Sequence, residues 1–261
     1  MIGPGTRVVG LVTADKGDEW LVRLFNALYG FNGLDAAYLP FIVRPDVVGK
    51  LLDGFVETKK AEHLHVAPSL WAEVAAWAKA PQGLVDAVTL RDGGVDVDLV
   101  HPRALVPLLE QRLRPGAQVA WVGDARVAKA CLEPLHALEA HVVALDGPDA
   151  PRTLDGVDCL LDAALPGQGG PLPVGGSPRA ALPACDWGLV PAPTRALAAS
   201  VERWSTLPAW IERAVVETRD RFGADVRVPK DLDVAVQERR LRPCKLTDDA
   251  FRSHYEHLQR V

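Results

Sequence analysis

At 261 residues the chain has room for one or two domains and a core that needs neither disulfides nor metal to hold it. Lys plus Arg total 29 against 34 Asp plus Glu, a formal charge of −5 with no long basic run, which makes nucleic acid a poor candidate partner. The 22 Gly and 21 Pro imply many turns, while a hydrophobic share of 48% excludes a disordered chain.

Short apolar runs alternate with helix-length amphipathic segments. Arg7–Thr13 reads as a buried strand, and Trp20–Tyr29 as a helix with Trp20, Leu21, Leu24, Phe25 and Leu28 at helical spacing. Ala36–Val43 is strand-like, and Pro45 opens a helix to about Phe55. His63–Ala67 is a strand and Leu70–Lys79 a helix; Asp86–Arg91 and Val95–Val100 flank the hairpin turn Asp92-Gly93-Gly94. Pro102–Arg114 reads as one helix, Gln118–Val122 as a strand, and Arg126–Leu138 as a helix with Pro134 awkwardly inside it. His141–Leu145 and Asp158–Asp162 are further strands. Pro166–Pro193 holds 13 Gly or Pro among 28 residues and reads as a long irregular loop. Thr194–Phe222 is expected to be helical with a break at Pro208, and Thr247–Leu258 to form a final helix. Strands alternating with helices imply α/β architecture with parallel sheets. A break near residues 105–116 divides the chain in two.

Cys131, Cys159, Cys185 and Cys244 are widely spaced, without zinc-finger pattern, and fit a reducing compartment. The first residues lack signal-peptide character and no run approaches 18 apolar residues, so a cytoplasmic protein without a membrane partner is expected. Seven tryptophans are expected to be mainly core fillers.

The best local signal for chemistry is Val119–Lys129, a strand, a glycine turn and a helix start. A dinucleotide site needs that arrangement, because free N–H groups at the helix N-terminus face the pyrophosphate. Gly123 supplies the turn, and Asp146, 23 residues on, stands where an acidic residue holds the ribose hydroxyls. Ala125 and Ala128 replace the later glycines, and Asp124 and Arg126 flank the place where phosphate would approach. Gly123, Asp124, Ala125, Arg126 and Asp146 are thus the candidate cofactor residues. Asp146 favours NAD over NADP, whose 2′-phosphate a carboxylate repels.

Across roughly residues 7–165 the chain resembles the shikimate dehydrogenase family. The resemblance rests on Gly10–Val12, the helix with Asn26, Gly33–Val43 (GLDAAYLPFIV), Gly83–Gly94 (GLVDAVTLRDGG) and the turn at Gly123. It implies a substrate-binding α/β domain (1–105), a Rossmann-like NAD(P)-binding domain (106–244) and a C-terminal helix (245–261) returning to the first. The family reaction is NADP-linked reduction of 3-dehydroshikimate, using a Lys–Asp pair to handle the hydroxyl proton. Here Leu70 stands in the lysine position and His101 in the aspartate position, while the paired serines fall at Glu19 and Leu21. A substrate carboxylate would be repelled by Glu19. The second family asparagine falls at Asp86, and Asn26 alone keeps both identity and place.

The resemblance therefore implies a small-molecule substrate, with Asn26 and Asp86 as candidate binding residues and His65 and His101 as candidate acid–base residues. His63 and His65 alternate on one strand face, and with His101 they pose the question of a metal; the expectation is local hydrogen bonding and no metal. Two functions follow. One is an NAD(P)-dependent oxidoreductase with an altered substrate. The other is a catalytically inactive paralogue that binds a ligand or an assembly partner. A monomer or homodimer fits either.

Overall fold

The computed structural model describes residues 5–14, 19–92, 94–147, 149–166, 168, 172–185, 201–223, 225–229 and 232. Two compact units divide the described residues. The first lies within Met1–Val66, Ala87–Asp96 and Ile211–Val261, the second within Ala67–Asp86 and Val97–Trp210.

The first sheet has the order β2-β1-β3-β4-β5, built from β1 (Arg7–Thr13), β2 (Ala36–Ile42), β3 (His63–Val66), β4 (Ala87–Arg91) and β5 (Gly94–Asp98). β1 lies between β2 and β3, parallel to both, and its last five residues are buried. Both its faces are covered, so it reads as a continuous apolar run rather than an alternating one. Gly10 is required by close approach, because a Cβ there would stand 2.4 Å from the Phe41 ring. The parallel pairing expected from the strand–helix alternation ends at β3, since β4 runs antiparallel to it. Helix α1 (Glu19–Phe31) buries Trp20, Leu21, Leu24, Phe25 and Leu28, the stripe read from the sequence. Helix α2 (Val48–Thr58) follows a 3-10 turn at Pro45–Val47.

In the second unit α3 (Trp71–Ala78) precedes two short helices, α4 (His101–Ala104) and α5 (Val106–Arg112). The single helix expected over 102–114 is broken at Leu105, and Pro107 sits in the first turn of α5, where its missing N–H costs nothing. The second sheet is wholly parallel, order β10-β9-β8-β6-β7: β6 (Gln118–Gly123), β7 (His141–Ala144), β8 (Cys159–Ala163), β9 (Ala180–Pro183) and β10 (Glu202–Arg203). One of its core clusters joins Ala120, Val122, Leu145, Leu154, Val157, Leu160, Ala181 and Val201.

Pro134 now has its explanation. Helix α6 (Ala125–Leu132) stops before it, and Glu133–Leu138 continues as 3-10 turns. The Gly/Pro-rich stretch is not all irregular, since the buried run Ala180–Pro183 pairs with β8. Likewise the helix expected from Thr194 is corrected. Residues 194–200 lie outside the described residues, 202–203 form β10, and α7 (Leu207–Phe222) starts late, with Pro208 in its first turn rather than at a break. From Ile211 onward α7 belongs to the first unit. The predicted helix at 247–258 lies outside the described residues, as do Cys244 and Trp187. Trp71 and Trp210 are fully buried, as expected of core fillers.

Candidate functional site

Strand β6 delivers Gly123 to the C-terminal edge of the second sheet. Gly123 has φ +112°, and a Cβ there would lie 2.4 Å from the Ala164 backbone nitrogen, so only glycine fits between β6 and β8. Trp121 pairs with Ala144 across parallel strands, so Gly123 and Asp146, each two residues further on, reach the same edge. Asp146 is exposed there. This is the strand–turn–helix shape of a nucleotide site.

The helix start itself is occupied by protein. Asp124 is the N-cap of α6, and its Oδ1 accepts 2.9 Å bonds from both the backbone N–H and the Nε of Arg126. Arg126 Nη2 donates to Oδ2 at 2.6 Å, and its Nη1 reaches the Gly83 carbonyl at 3.0 Å. These Arg126 bonds hold the Asp124 carboxyl below its usual range, so it is ionised at neutral pH. A pyrophosphate needs the N–H groups that this carboxylate takes, and its own charge would meet another negative group. Gly123 and Asp146 have the placement a dinucleotide would use, whereas Asp124 and Arg126 are engaged with each other.

The substrate-binding candidates are also engaged. Asn26 clamps α1 to β2: its Nδ2 donates to the Tyr38 carbonyl at 2.8 Å and its Oδ1 accepts from the Tyr38 N–H at 2.9 Å. Asp86, fully buried, accepts from the N–H of Val100 at 2.6 Å and from the N–H of His101, holding the start of α4. His101 is fully buried and stacks on the Trp210 ring at 4.5 Å. Leu70, which the resemblance sets at the lysine position, is fully buried as well.

His65 belongs to a different constellation, inside the first unit. Its Nδ1 lies 2.7 Å from the Tyr38 hydroxyl and its Nε2 2.7 Å from Glu217 Oε2. On the same strand face, His63 Nδ1 meets Thr89 Oγ1 at 2.8 Å, and its Nε2 stands 4.0 Å from the same Glu217 oxygen. Arg213, one helical turn before Glu217, donates from Nε to Oε1 at 2.6 Å. Burial pushes His65 down to about 4 and His63 well below the usual imidazole range, so both are neutral at pH 7. Burial pushes the Glu217 carboxyl up, but His65 and Arg213 outweigh it and hold the group ionised. Glu217, Arg213, Tyr38 and Thr89 were not singled out in the sequence. Arg213–Glu217 is an i,i+4 pair, which by spacing alone reads as a solvated helix face.

No family model and no curated protein matches the sequence. Solved structures do match. The shikimate dehydrogenase of Aquifex aeolicus is 15% identical with a TM-score of 0.64, covering 93% of this chain and 100% of that one. The shikimate 5-dehydrogenase of Thermus thermophilus in complex with shikimate is 14% identical, TM-score 0.64, covering 90% and 99%. The 5-ketofructose reductase of a Gluconobacter strain is 16% identical, TM-score 0.61, covering 91% and 99%. No helix among the described residues is long and apolar enough to cross a membrane. At these identities the likeness is one of architecture: the chain has the fold of the shikimate dehydrogenases.

Proposed function

We propose that this protein is a small-molecule-binding paralogue on the shikimate dehydrogenase fold that does not run nicotinamide-linked hydride transfer. The observation that carries this reading is the Asp124 carboxylate seated on the first N–H groups of α6 and locked there by Arg126. A pyrophosphate would have to displace an ion pair to reach those donors. The residues at the family's proton-handling positions agree, with Leu70 buried and His101 stacked on Trp210. Neither presents a group to a hydroxyl in that conformation.

The second reading, an NAD-dependent oxidoreductase acting on an altered substrate, is favoured by Gly123 and Asp146 meeting at one sheet edge. In it His65 and His101 are the acid–base candidates and Asn26 and Asp86 the substrate contacts. Calorimetric titration with NAD, NADP and their reduced forms separates the two. No heat of binding up to millimolar cofactor is expected. Micromolar binding of any of the four would overturn the first reading and establish the second as the working hypothesis.

A further inference from the structure

We propose that His63 Nε2, His65 Nε2 and Glu217 Oε2 bind one divalent transition-metal ion of the zinc class inside the first unit. Two imidazoles and a carboxylate are a donor set that zinc and its first-row neighbours take, leaving a fourth position for water. One ligand atom from each of the three residues lies within 4.8 Å of the others, and Glu217 Oε2 stands 2.7 Å from His65 Nε2 and 4.0 Å from His63 Nε2. Donors each about 2.1 Å from one zinc ion in tetrahedral geometry are roughly 3.4 Å apart, so closing on it needs shifts under about 1 Å.

Three features beyond the cluster itself point to a ligand. His63 Nε2 is buried, faces Glu217 and has no hydrogen-bond partner, whereas buried ring nitrogens are ordinarily satisfied. Each histidine has its far nitrogen held by a hydroxyl, His63 by Thr89 and His65 by Tyr38, and such contacts orient ligand imidazoles. Arg213 takes Glu217 Oε1 and leaves Oε2 directed at the two rings.

The protons balance. Without the ion, neutral His65 donates from Nε2 to Glu217 and accepts at Nδ1 from the Tyr38 hydroxyl. With it, the ring proton moves to Nδ1, Tyr38 Oη becomes the acceptor, and Nε2 is freed for the metal. No net proton leaves the site.

The test uses full-length protein stripped with chelator, dialysed free of it, and titrated with Zn2+ by calorimetry and with Co2+ by visible absorption. One ion per chain with micromolar or tighter affinity is expected, together with the intense visible bands of low-coordinate Co2+. His63→Gln should abolish the Co2+ bands while His141→Gln, at an exposed position, leaves them unchanged. If His63→Gln does not fold, Thr89→Val removes only the orienting hydroxyl and should weaken binding about tenfold. Absence of one-to-one binding in the unsubstituted protein overturns the proposal. So does binding that neither substitution weakens.

Discussion

The Asp124 carboxylate accepts a 2.9 Å bond from the backbone N–H of Arg126 and pairs with the same residue's guanidinium at 2.6 Å. One residue thus caps a helix and anchors a cation at the helix start, where the pyrophosphate of a dinucleotide would need free N–H groups. The cap makes a stability prediction. Asp124→Ala should lower unfolding free energy by about 1 kcal/mol, measured by urea denaturation at pH 7. The Asp124 pKa is depressed, so its contribution is complete above the unfolded value of 3.8 and is lost as pH falls through the lower folded value. The difference between wild type and Asp124→Ala should therefore narrow only in strong acid. Equal stability of the two at pH 7 would count against a working cap.

Gly123 tests the sheet edge. Alanine there would carry φ +112° and drive its Cβ to within 2.4–2.5 Å of the Ala163–Ala164 backbone. The neighbour is backbone in a paired strand, so it cannot turn aside as a side chain would. Gly123→Ala should cost on the order of 3 kcal/mol. Gly94→Ala, where an added Cβ meets nothing within 4 Å, serves as the comparison and should be close to neutral. Thermal melting that ranks them the other way would refute the packing argument.

Asn26, a candidate substrate contact on the resemblance alone, has both its amide atoms bonded to the Tyr38 backbone. Asn26→Ala leaves a buried N–H and C=O of Tyr38 without that partner, so a loss of about 2 kcal/mol is expected in chemical denaturation. A variant as stable as wild type would mean that the clamp is dispensable and would return Asn26 to the list of free ligand contacts.

Burial raises the described thiols: Cys159 is pushed up to about 12, and Cys131 and Cys185 also stand well above the usual range. The thiolate is the reactive species, so buried thiols of this kind are inert. In a Cys244→Ser background, native protein at pH 8 should show no fast reaction with an aromatic disulfide reagent, and all three thiols should react after unfolding. Rapid labelling of any of them in the native state would show that its burial is broken by local opening.

Much of the architecture was legible in the residues. Unbroken apolar runs such as Cys159–Ala163 can be satisfied only between two covered faces, and the stripe of Trp20, Leu21, Leu24, Phe25 and Leu28 has the helical period. Their alternation specifies an α/β chain. Composition misled at Ala180–Pro183, where glycines and prolines on either side hid a strand whose place is decided by pairing with β8. Pro134, Pro107 and Pro208 were visible as obstacles, but whether each ends, divides or opens a helix depends on where the first hydrogen-bonded turn falls.

By itself the sequence determined the fold class and the glycine turn after β6, because these reside in residue identity and local period. Tertiary structure decided the rest. Asp124 is a cap rather than a bystander because its neighbour's N–H and guanidinium both turn to it. His65 meets Glu217 across 152 positions of chain, and helix α7 buries an Arg–Glu pair that spacing assigns to water. Such contacts depend on which faces the fold brings together, a quantity that no short window of residues contains.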